Sequence, residues 1–161
     1  GYANLDSLIM EAQDTTKLKD KSITKRYGDK MVYAYNCING ACDMYVYRMA
    51  MINEQGMLIE YPWYKVKQRC FELGLKPVVE MDQFIFDGDY DALLERVENL
   101  VQDSSGSLPS VIDSSHIREG VVVRIDSELK TDWLKVKSSL YGILDGYLRD
   151  DDSHVDLEEI S

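Results

Sequence analysis

The sequence predicts an α+β fold, a mainly antiparallel sheet with helices packed against it. Two observations point there. Short runs rich in valine, isoleucine, methionine and tyrosine are separated by Asn, Asp and Gly turns, as expected of strands that fold back on one another. Between those runs lie two segments with apolar residues at helical spacing, Trp63 to Leu73 and Tyr90 to Val101. A chain of 161 residues is one domain, or a large part of one, with enough apolar residues to build a core.

Taken in order, Leu5 to Gln13 has the mixed apolar spacing of a short helix, with Asp6 or Ser7 as its cap. Thr15 to Lys30 is polar and lysine-rich, and Gly28-Asp29 reads as a turn into a strand over Met31 to Tyr35. Asn39-Gly40 marks a tight turn before a second strand, Met44 to Ile52, and the short separation favours an antiparallel hairpin between the two. Asn53 to Gly56 turns the chain again, into a returning strand over Met57 to Glu60. Pro62 suits a first helical turn, and Trp63, Val66, Cys70 and Leu73 form a stripe that stops at Gly74. Lys76 to Phe86 alternates loosely as a strand and is broken by Asp87-Gly88. The helix over Tyr90 to Val101 has Leu93, Leu94, Val97, Leu100 and Val101 on its apolar face. A Ser/Gly loop, Gln102 to Ser107, leads to two further strands, a mixed segment from Leu140 to Leu148, and an acidic tail over residues 145–161.

Composition excludes several classes. No apolar run approaches the ~20 residues of a membrane span, and no basic-then-apolar signal pattern opens the chain. Cys37, Cys42 and Cys70 are an odd set without a CxxC spacing, so they read as reduced thiols of a cytoplasmic protein. A formal net charge of −11 argues against a generally basic nucleic-acid surface. The charge is uneven: acidic residues crowd the C-terminus while Lys17 to Lys30 is mildly basic, which leaves room for a local basic cleft.

The chemistry-bearing residues lie in His116-Ile-Arg-Glu-Gly-Val-Val-Val-Arg124 and Leu134-Lys-Val-Lys-Ser138. Strand alternation puts Glu119, Val121 and Val123 on one face, and Gly120, Val122 and Arg124 on the other. A carboxylate beside two valines requires a cation, a metal or a lysine as partner; pairing with Arg118 or Lys135 at a strand edge is the plain alternative. Gly120 permits close approach of a ligand or of neighbouring backbone. Lys135 and Lys137 flank Val136 and share a face roughly 7 Å apart, where an anion between them relieves their repulsion. A phosphate fits that description; a solvated edge strand guarded by lysines is the alternative. Tyr45 and Tyr47 share a strand face, either as core aromatics or as a platform for a purine.

In this order the pieces resemble the covalent nucleotidyltransferase superfamily, most closely the phage-type ATP-dependent RNA ligases. The resemblance runs from about Met31 onward: an aromatic strand (Met44-Tyr-Val-Tyr-Arg48), then an EGxVxR strand (Glu119 to Arg124), then an LKxKS strand (Leu134 to Ser138), with Val155 to Glu159 closing the module. It implies a partial adenylation domain spanning residues 1–161, with ATP as AMP donor and Mg2+ or Mn2+ as cofactor. It also implies RNA ends as partners, DNA not being excluded, and location in the host cytoplasm if the chain is phage-encoded. Glu119 would hold the metal or orient the adenylate, and Lys135 and Lys137 would contact the α-phosphate. Arg124 would belong to the nucleotide site, and Tyr47, with Tyr45 second, would stack on adenine.

Two departures stand against a self-contained enzyme. The family's nucleophilic lysine sits in a KxDG element; here Lys25-Arg-Tyr-Gly28 offers only a loose KxxG, which reads as a turn. Where the family has Tyr-Gly-Glu, this chain has Tyr35-Asn36-Cys37, and a thiol is a poor ligand for magnesium. The start at Gly1 suits a chain cut from something longer, whose N-terminal segment would complete the pocket. The expectations are therefore three: the C-terminal part of a ligase adenylation domain, a ligase-like module that binds nucleotide or RNA ends without covalent chemistry, or an acidic interaction domain.

Overall fold

A computed structural model describes residues 11–37, 41, 43–127 and 131–149, and the backbone of 156–159. Its centre is the pairing of β7 (Gly120–Asp126) with antiparallel β8 (Thr131–Lys137), in the register Gly120 to Lys137, Val122 to Lys135 and Arg124 to Trp133. Antiparallel partners project from the same face. One face therefore carries Val121, Val123, Leu134 and Val136, and these pack on Val97 and Val101 of α3 (Tyr90–Val101). Asp89 caps α3 by accepting from the Ala92 amide at 3.0 Å, and Asp91 adds negative charge in its first turn. Leu94 of the expected apolar face is exposed, because Leu93, Val97 and Val101 already span the stripe that meets the sheet.

Gly120 is required by the backbone. A Cβ there would lie 2.1 Å from the Val136 carbonyl oxygen and 2.8 Å from the Lys137 Cα, neither of which can swing away. Of the two approaches a glycine permits, this one serves the neighbouring strand. Ser138, which ends the lysine strand, is fully buried and caps α4 (Ser139–Asp145) by accepting from the Tyr141 amide at 3.3 Å. Its own amide donates to the Glu119 carbonyl at 2.8 Å, which fixes the start of β7 to the end of β8. On the other edge of β8 lies β9 (Asp156–Glu159), aligned Lys135 to Glu158 and Lys137 to Asp156. The acidic tail thus contributes a strand. The expected mixed segment after Ser138 is α4, whose Leu140, Tyr141 and Leu144 join Leu18, Ile23, Met31, Tyr33 and Ile117 in a second core.

Several expectations are corrected. Lys25-Arg-Tyr-Gly28 is no turn: Lys25 belongs to α1 (Lys21–Tyr27), which Asp20 caps and Gly28 ends at a φ of 83°. A single buried position, Ile23, gives that helix too little apolar periodicity to stand out. Residues 5–10 of the expected first helix lie outside the described residues, and Gln13 is in β1 (Gln13–Asp14), paired with β2 (Lys30–Met31). The expected hairpin between Met31–Tyr35 and Met44–Ile52 does not form. β3 is only Tyr45–Val46, and it runs parallel to β6 (Lys76–Pro77), beyond which the expected strand to Phe86 is irregular. The Asn53–Gly56 turn does join β4 (Ala50–Ile52) to β5 (Leu58–Glu60). Next comes α2 (Trp63–Leu73), which buries Val66 and Cys70 and ends at left-handed Gly74.

Gly120→Ala is expected to destabilise the chain by about 3 kcal/mol or more, since both clashing groups are backbone. Urea unfolding of the variant checks this; a loss under about 0.5 kcal/mol would contradict the β7–β8 packing.

Candidate functional site

Alternation in β8 points Lys135 away from the α3 core, toward the face it shares with Val122. Glu119 precedes β7, so the strand's alternation does not bind it. Its side chain turns from the valine face to the open one, where the carboxylate pairs with the Lys135 ammonium. The expected apolar setting for Glu119 is thus replaced by a partly buried ion pair with Lys135, the plain alternative that the sequence offers for this carboxylate.

This pair lies on the wall of a cleft of about 270 Å³, whose lining includes Tyr35, Ser110, His116, Arg118, Glu119 and Lys135. The volume is slightly below the ~300–1,000 Å³ of typical small-molecule sites. His116 is fully buried between Tyr35 and Tyr33, with ring centroids 4.6 and 4.7 Å away. Its Nδ1 lies 2.8 Å from the Ile117 carbonyl oxygen, which can only accept, so Nδ1 carries the proton. Burial disfavours the imidazolium and holds the His116 pKa below its ordinary value. Burial, and then the nearby Glu119 carboxylate, push the Tyr35 phenol up to about 12. Arg118 donates to the Leu100 carbonyl at the C-terminal end of α3, and no carboxylate pairs with it among the described residues. Among the described residues the lining counts Arg118 and Lys135 against Glu119, with the Arg118 guanidinium held by the Leu100 carbonyl.

Tyr35 has the most constrained backbone in the cleft. Both Tyr35 (φ 49°) and Asn36 (φ 58°) are left-handed, an uncommon region for residues other than glycine and costly for a bulky ring. The pair is pinned from across the cleft: the Asn36 amide donates to Asp113 Oδ2 at 2.9 Å, and its side chain donates to the Ile112 carbonyl. Against the burial that would raise it, hydrogen bonds from Ser115 and Asn36 hold the Asp113 carboxyl below the usual range. Nothing in the sequence marks Tyr35 and His116 as residues of a common site. The only local signal was Asn36, one of the few residues that tolerate left-handed backbone.

The remaining expected site residues lie elsewhere. Lys137 places its ammonium 5.2 Å from the Tyr147 ring centroid, so the two lysine tips diverge rather than bracket one anion. Arg124 stacks 4.6 Å from the Trp133 ring centroid, pairs with Asp126 at 2.6 Å and donates to the Tyr61 carbonyl. Asp126 also accepts from the Trp63 amide at 2.6 Å, so the two residues tie the start of α2 to the sheet. Tyr45 and Tyr47 do not share a strand face, because β3 ends at Val46. Tyr45 lies under the Lys76 ammonium, whereas exposed Tyr47 meets Trp133 edge-on at 6.4 Å.

Glu119 is the one carboxylate lining the cleft, and no group of three or more His, Cys, Asp or Glu gathers as a metal site among the described residues. These side chains do not by themselves assemble the divalent-metal centre that the resemblance implies. Among the described residues no helix is long and apolar enough to cross a membrane. No family model, no curated protein and no solved structure matches this chain.

Because His116 has a depressed pKa in the folded state, the unfolded chain binds that proton first as pH falls. The stability tied to neutral His116 is complete above the ordinary value of 6.5 and declines as pH drops through and below it. Urea midpoints between about pH 7.5 and 5.5 should therefore fall more steeply for the native chain than for His116→Gln. Equal slopes would show that the imidazole is not buried in its neutral form.

Proposed function

We propose that this chain supplies one wall of a nucleotide pocket in an RNA-ligase-like adenylation domain, with the Glu119–Lys135 pair facing the phosphates. One observation carries the reading: the EGxVxR and LKxKS strands lie side by side in a register that brings Glu119 and Lys135 together on a cleft. Lys135 on the cleft wall offers a cation to a phosphate, and the cleft's size favours a mononucleotide or a strand end over a duplex. Lys135 neutralises phosphate charge at the point where, in such ligases, pyrophosphate leaves. An incoming phosphate competes with Glu119 for the ammonium, so binding swings that carboxylate aside.

A second reading, a module that holds nucleotide or RNA ends without forming an adduct, shares the site and differs in lacking a nucleophile. Lys25 favours it: this lysine of the loose KxxG stands in α1 and is not among the residues that line the cleft. The 161 residues contain no KxDG element.

Labelled ATP with magnesium is expected to bind the chain reversibly and leave no acid-stable adduct; a Lys25-dependent adduct would overturn that. Lys135→Ala should weaken ATP at least about tenfold, from loss of a charge-assisted contact of about 1.5–3 kcal/mol. Unchanged affinity by calorimetry would refute the site.

A further inference from the structure

We propose that the open edge of β4 pairs with the same edge of a second copy of this chain, antiparallel about Met51, across a two-fold axis. The proposal is independent of the nucleotide reading. β4 and β5 form a sheet of two strands, and no third strand joins them among the described residues. A hairpin standing alone is marginally stable in water. This one is also apolar and uncovered: Met51, Ile52, Leu58 and Ile59 are exposed, as is Met57 just before β5. Ala50–Ile52 carries no charge or proline, the devices with which proteins protect an open edge.

The register shows what that edge offers. Backbone hydrogen bonds join Asn53 to Met57 and Tyr61 to Met49 across the hairpin. Bonded and non-bonded pairs alternate along an antiparallel ladder, so Met51 bonds inward to Ile59 while Ala50 and Ile52 turn their N–H and C=O groups outward. Pairing about Met51 sets Ala50 opposite the partner's Ile52 and Ile52 opposite the partner's Ala50, each pair exchanging both of its bonds. The edge is thus complementary to itself. Exposed Arg48 and Glu54 stand on either side of β4, so the same axis brings the cationic end of one strand to the acidic end of the other. The β5 edge is less suited, because Glu60 lies on it, tied to Arg48, and Pro62 just beyond has no N–H to give. Five exposed side chains per copy, at roughly 100 Å² each, bring up to about 1,000 Å² to the contact, the low end for a specific interface. The dimer should therefore be weak, with a dissociation constant on the order of 10–100 μM.

Sedimentation equilibrium and amide hydrogen exchange, each from about 5 to 500 μM chain, test the proposal. The native chain should pass from monomer to dimer over that range. The Ala50 and Ile52 amides should exchange more slowly as it does, while those of Leu58 and Glu60 stay fast. Met51→Lys sets two ammoniums against each other at the axis and should weaken the dimer at least about tenfold. Phe71→Lys, on the exposed side of α2, should leave it unchanged. Should Met51→Lys fail to fold, exchange on the native chain decides alone. A monomer at every concentration, protection at Leu58 and Glu60 instead, or a dimer lost in Phe71→Lys and kept in Met51→Lys would overturn the proposal. Ala50 and Ile52 amides already protected in a monomer would show the edge covered from within the chain, and would overturn it too.

Discussion

The close backbone contact between Gly120 and the strand opposite it is the constraint on which the rest depends. Only an absent side chain lets β7 begin directly against the Val136 carbonyl. That approach fixes the register, and the register decides which side chains share a face. Valines and a leucine meet α3 on one side, and Lys135 comes to the mouth of the cleft on the other. Ser138 then closes the corner through its bond to Glu119 and its cap on α4, so both hydrophobic cores meet at the same few residues. The candidate site is built on that junction.

Electrostatics at the junction follows from burial more than from net charge. In a chain with a formal charge of −11, the cleft is lined, among the described residues, by two cations and one carboxylate. His116 adds no charge there, because burial keeps it neutral, and the Tyr35 phenol stays protonated for the same reason. An anion of the kind proposed would meet Lys135 in a partly desolvated setting, where such contacts are stronger than on open surface. Arg124, by contrast, is held by Asp126, the Tyr61 carbonyl and the Trp133 ring, and serves the fold by tying α2 to the sheet.

Much of this fold was legible from local pattern. The helix over Tyr90–Val101 and the strands around Val121 and Val136 carry strong periodicity and fold as read. Pairing of Glu119 with Lys135 was legible as the plain alternative, since it needs only the two strands to lie side by side. What local pattern could not reveal was set by distant contacts. β3 is too short to declare its partner, so its parallel union with Lys76–Pro77 replaced the hairpin that proximity suggested. Strict alternation also puts Glu119 on the valine face, whereas its carboxylate reaches Lys135 on the other. Tyr35 and His116 converge through a loop from Leu108 to Arg118 that has no periodicity to read.

The cleft beside the Glu119–Lys135 pair is the place where we propose that this protein meets a nucleotide. A titration of the isotope-labelled chain with ATP, followed amide by amide by nuclear magnetic resonance, tests it most directly. Saturable shifts centred on Arg118, Glu119, Gly120 and Lys135, and extending to Tyr35, are the predicted result. Shifts confined to the exposed faces of α2 or the β4–β5 hairpin, or no saturable shifts at millimolar ATP, would contradict it.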